Sequence, residues 1–136
     1  MNRHPFLRAY LAGICVPTLF LLFVAAGFTI LRYVYNFPAP IERVIVFPMA
    51  VVPNAWGLWN VLFLATHERL RIPLGPHGAL LPFLLAPLGI MMTRLLKFSI
   101  PDIASHVFLF AAPVALIIYY LAWKYLVGFL NSELGL

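Results

Sequence analysis

Formal charge is scarce in this sequence: four acidic and nine basic side chains in 136 residues, gathered in clusters. Between the clusters, residues 9–31, 44–66, 72–93 and 103–123 form stretches of 21 to 23 residues with no Asp, Glu, Lys or Arg. A bilayer core of about 30 Å needs about 20 helical residues, so each stretch is long enough to span. Too little chain remains outside them for a water-soluble globule, a nucleic-acid-binding domain or an enzyme built on a sizeable aqueous domain. Cysteine is nearly absent. Cys15 alone excludes an intrachain disulfide and a cysteine-built metal site. No glycine-rich phosphate loop occurs, and the missing mid-span acid argues against a proton- or cation-coupled carrier.

What is present is 64% hydrophobic. The expected architecture is an all-α integral membrane protein: one four-transmembrane-helix bundle over residues 1–136, with proline kinks and short loops. Its spans are placed at about 7–33, 41–68, 79–96 and 102–124. Arg3 and Arg8 before an apolar run, with Val24-Ala25-Ala26 beyond, have the form of a signal peptide. The run exceeds a usual apolar signal region of about 7–15 residues, so it is read as a retained first helix. The net charge of +5 is assigned to membrane edges, where basic residues meet anionic headgroups, and not to nucleic acid. With four spans, one face carries Arg3, Arg8, Arg69, Arg71 and Lys124 and the other Arg32, Arg43, Arg94 and Lys97. Five against four places both termini in the cytoplasm.

Pro38 and Pro40 end the first helix. Pro48 and Pro53 lie inside the second stretch, which reads as one kinked helix in preference to a half-helix followed by a span capped at Asn54. Residues 71–78 are rich in proline and glycine and read as a turn. Ser99-Ile100-Pro101-Asp102 has the spacing of a capping box, and Trp123-Lys124 suits an exit from the membrane, with the tail left open between helix and surface segment. Ala9 with Gly13, and Ala111 with Ala115, are small-residue pairs that let helices approach.

The distinctive segment is Pro53–Asn60, which sets two amides and two indoles in an apolar span. Trp56, Asn60, Phe63 and His67 share one helical face. Buried amides in hydrocarbon need partners, so Asn54, Trp56, Trp59, Asn60 and His67 are candidates for helix packing or for lining a ligand pocket. Glu68, Arg69, Arg71 and His77 form a candidate interfacial polar cluster, with Glu68–Arg71 and Glu42–Arg43 as charge pairs. His67 and His77 lie at one end of the bundle but beside a loop, not deep in two helices as a bis-histidine haem requires. His67-Glu68-Arg69 lacks the second histidine of a zinc-protease helix. Asp102, Ser105 and His106 share one helical turn, which suits a helix start better than a catalytic triad. No metal site and no cofactor are expected, and no motif carries a resemblance to a known family.

The function expected from these residues is that of a non-catalytic accessory or assembly subunit, packing its Trp/Asn face on partner transmembrane helices. The alternative is a homo-oligomeric channel or carrier for a neutral or lipidic solute. A weaker one is a small lipid- or quinone-reactive enzyme using His67, Glu68 and His77. Membrane lipids, and partner subunits or further copies of the chain, are the expected partners.

Overall fold

The computed structural model describes residues 4–97 and 103–136, with side chains from 110 onward in the second segment. Helix α1 runs over Pro5–Tyr33, opening on a proline at the position where no amide hydrogen is needed. Helix α2 is Ile41–Leu70, α3 is Leu74–Leu95 and α4 covers residues 103–133. Four helices are therefore long and apolar enough to cross a membrane. Residues Ile45–Met49 of α2 form a π-turn around Pro48, and the helix then continues through Pro53. Proline removes an amide donor and crowds the carbonyl four residues back; a widened turn relieves both without ending the helix. A second π-turn, Ala122–Val127, lies in α4.

Helices α1 and α2 pack closely, with Gly13 facing the backbone of Trp56 and Gly57. The Arg8 guanidinium donates to the Leu134 carbonyl at 3.1 Å, which brings the start of α1 and the end of α4 to the same end of the bundle. The apolar interior is small and lies at that end: Trp56, Leu81, Leu85, Trp123 and Val127.

Several expectations are corrected. Helix α3 begins at Leu74 and not near residue 79, so the proline- and glycine-rich connection is largely helical. Pro76 falls in the first turn, where its missing amide hydrogen costs nothing, and Gly75 and Gly78 let that turn lie against Tyr120 and Trp123. Trp123 is 0% exposed within the bundle, and α4 continues ten residues beyond it to Glu133, so the tail extends the helix. Glu42 pairs with Arg32 across the α1–α2 turn rather than with Arg43. Adjacent residues on a helix point apart, whereas the turn brings Arg32 and Glu42 together. Glu68 and Arg71 form no ion pair among the described residues. The proposed capping box at Ser99–Asp102 lies outside the described residues, as do the side chains of Ser105 and His106.

Arg71 ends α2 in the left-handed conformation, φ 51° and ψ 24°, with its amide bonded to the His67 carbonyl. That geometry favours glycine by about 1 kcal/mol. Arg71→Gly is expected to raise the melting temperature in detergent by the equivalent of about 0.5–1 kcal/mol. Arg69→Gly, two residues earlier inside the helix, should lower it by about 1 kcal/mol. Equal effects would show that the cap is not formed.

Candidate functional site

The expected Trp/Asn face of α2 turns into the bundle. Asn60 is 1% exposed, and its amide NH2 donates to the Ala9 carbonyl of α1 at 2.7 Å and to the Asn131 Oδ1 of α4 at 2.8 Å. Asn131 returns a bond to the Asn60 Oδ1 at 3.1 Å, so the two amides form a reciprocal pair. Asn54, one turn and a half earlier, is exposed; it accepts from the Tyr10 hydroxyl at 2.5 Å and donates to its own helix at the Ala50 carbonyl. Both asparagines therefore tie α2 to other parts of this same chain.

Around Asn60 the rings form one continuous cluster. Trp56 lies 5.1 Å from Tyr119 and 5.2 Å from Trp123 between centroids. Trp59 stacks on His77 at 5.0 Å, and its indole NH donates to the His77 carbonyl at 2.8 Å. His77 is 4% exposed and so leaves the interfacial cluster in which the sequence placed it: α3 starts early enough to carry it inside. His67, Glu68, Arg69 and Arg71 stay exposed at the end of α2. Phe63 meets both imidazoles, at 4.9 Å from His67 and 5.2 Å from His77. No three His, Cys, Asp or Glu side chains come together among the described residues. Nε1 of Trp56, Nε1 of Trp123 and Nδ1 of His77 are buried without a hydrogen-bond partner among the described residues. Each such atom costs about 1–3 kcal/mol, a price set against tight ring packing.

Among the described residues, Thr29, Thr66 and Thr93 donate to carbonyls of their own helices, and Ser132 donates to Phe129. These hydroxyls cap carbonyls instead of facing a base. What the bundle offers is space. A cleft of about 640 Å³ opens between the first half of α2, α3 and the α4 segment from Ala112 to Tyr119. A second, of about 600 Å³, lies between α1 and α4 and includes Cys15, Pro17, Trp56 and Leu126. Val52 and Tyr119 line both. A smaller crevice of about 260 Å³, whose lining includes Asn60, His67, Asn131 and Ser132 beside Phe63 and Leu74, sits at the end where α1 begins.

Sequence reasoning missed Asn131, Trp123 and Gly57 as packing residues. A signal for the first two existed: Trp123, Val127 and Asn131 recur every four residues and mark one buried face. No family model, characterised protein or solved structure matches the chain.

Proposed function

We propose that this chain is a non-catalytic integral membrane protein that serves as an accessory or assembly subunit, docking a partner transmembrane helix on the second half of α1. The observation that carries the reading is Gly27. Gly13, Gly57, Gly75, Gly78, Gly89 and Gly128 each sit against a neighbour within this chain, whereas a methyl group on Gly27 would meet no atom of the described residues within 4 Å beyond its own helix. An interior helical glycine costs about 1 kcal/mol relative to alanine, and its usual return in a bilayer is close approach of another helix. Phe20, Phe23, Ile30 and Val34 flank it at helical spacing, all more than half exposed, and form the walls of a groove with a glycine floor. The Trp/Asn face first assigned to the partner is filled by this chain's own helices, so the docking face moves to α1. The five-to-four excess of basic residues supports cytoplasmic termini.

The test is native mass spectrometry of the protein extracted gently from its own membrane, with and without Gly27→Leu. Leucine improves helix propensity and meets open space, so the variant should fold as well as the parent. Expected are foreign membrane subunits at fixed ratio in the parent and their loss in the variant. If identical chains alone dissociate on substitution, the homo-oligomeric channel or carrier takes over. An unchanged assembly overturns docking on α1.

A further inference from the structure

We infer that the outward face of α4 docks a partner transmembrane helix that sets a carboxylate against Lys124, an ion pair inside the bilayer. The membrane-length segment of α4 is Phe110–Glu133, and Lys124 stands nine residues, about 13 Å, short of its end, on the half of the segment nearer the termini. Its neighbour Trp123 packs on Trp56, which lies within one residue of the middle of the charge-free stretch 44–66. The Lys124 ammonium is 5.7 Å from the centroid of the Tyr120 ring and 5.2 Å from that of Tyr125. Helical side chains lean toward the helix N-terminus, and Tyr120 lies one turn in that direction. The amine is therefore turned away from the nearer end of the segment, toward hydrocarbon.

A charged amine at that depth is retained where it pairs. The two ring faces ease its desolvation but carry no net charge. Among the described residues no carboxylate pairs with Lys124. The sequence explains this, since Glu42, Glu68, Asp102 and Glu133 all lie outside the four charge-free stretches. Neither this chain nor a second copy brings an acid to the level of Lys124, so the counter-charge belongs to a different protein. A lipid phosphate would sit at the nearer edge, behind the amine. The surface leading to Lys124 has the form a helix partner needs. Phe110, Val114, Ile117 and Leu121 precede it at alternating spacings of four and three, all at least 45% exposed, which is the seam of a left-handed helix pair. One charged residue in such a seam fixes register and partner. The inference rests on the accessory-subunit reading but not on the groove at Gly27.

Synthetic transmembrane peptides of leucine and alanine with one central Asp, Asn or Leu, titrated into the purified chain in bicelles and read by fluorescence transfer, test this. Expected is binding of the Asp peptide about five- to ten-fold tighter than that of the Leu peptide. Lys124→Arg should keep the preference, Lys124→Met should lose it, and Lys124→Asp should transfer it to a peptide with a central Lys. The side chain is exposed, so these variants leave the bundle interior intact and should melt with the parent. Equal binding of the Asp and Leu peptides, equal binding of the Asp and Asn peptides, or a preference that survives Lys124→Met would overturn the ion pair. In protein taken from its native membrane, the retained subunit should carry an Asp or Glu within a span and should be lost from Lys124→Met but not from Lys124→Arg. Loss of an anionic lipid in its place would overturn the helix partner and assign Lys124 to a head group. Loss of the subunit from Gly27→Leu but not from Lys124→Met would overturn this face and leave docking on α1 standing; the reverse result would do the opposite.

Discussion

Gly13→Ala is expected to lower stability by about 2–3 kcal/mol. The added methyl would stand 2.6 Å from the Trp56 carbonyl oxygen and 2.8 Å from the Gly57 Cα. Both are backbone atoms in the middle of α2, so no rotamer change relieves the overlap and the two helices must move apart. The hydrogen bonds that staple them, Asn60 to the Ala9 carbonyl and Tyr10 to Asn54, stretch with that movement. In a bilayer there would be no hydrophobic drive between helices to compensate, because lipid tails are as apolar as the side chains; contact distance and hydrogen bonds would carry the association. Thermal or sodium dodecyl sulfate unfolding in mixed micelles reads the effect directly. Gly27→Ala is the control: the same change on the same helix should be neutral or stabilising by up to about 1 kcal/mol. If Gly13→Ala melted at or above the parent, the close α1–α2 crossing would be wrong.

This crossing shows how far the sequence can be read. Ala9 and Gly13 announced a close contact by spacing, and the α2 face bearing Trp56 and Asn60 announced burial by period. Neither says what the face meets. A helical period gives an orientation relative to an unnamed neighbour, and the neighbour of Asn60 is Asn131, seventy-one residues on. The turn-rich segment failed differently. Proline is a stop inside a helix but neutral in its first turn, so Pro73 just before α3 and Pro76 in its first turn resemble Pro38 and Pro40 in a loop. Only the room that Gly75 and Gly78 leave for Tyr120 and Trp123 separates the cases, and that is a tertiary fact. The burial of Trp123 was not legible because indoles prefer the interface on average, while this one covers Gly78. The clefts were illegible altogether, since they arise from how far helices stand apart and not from any one helix's pattern.

The amide pair at the α1 end offers the other large effect. Asn60→Leu should cost about 2 kcal/mol: the lost bonds contribute modestly, and most of the penalty comes from leaving Asn131 buried with no partner. Asn131→Leu should cost nearly as much, since Asn60 keeps its bond to the Ala9 carbonyl but its own oxygen is left unpaired. The double variant should recover most of the loss, because two leucines facing one another in an apolar interior leave nothing unsatisfied. A coupling energy of at least about 1 kcal/mol in the double-mutant cycle is therefore expected, near the upper end for interhelical bonds in membranes because two bonds break together. The cycle also separates the two roles considered for Asn60. An amide reserved for a partner subunit would leave the isolated chain's stability untouched when replaced and would show no coupling to Asn131. Additive losses would mean that the two amides do not meet. Strong coupling with the assembly retained in the double variant would place partner docking elsewhere on the bundle, as the open space beyond Gly27 suggests.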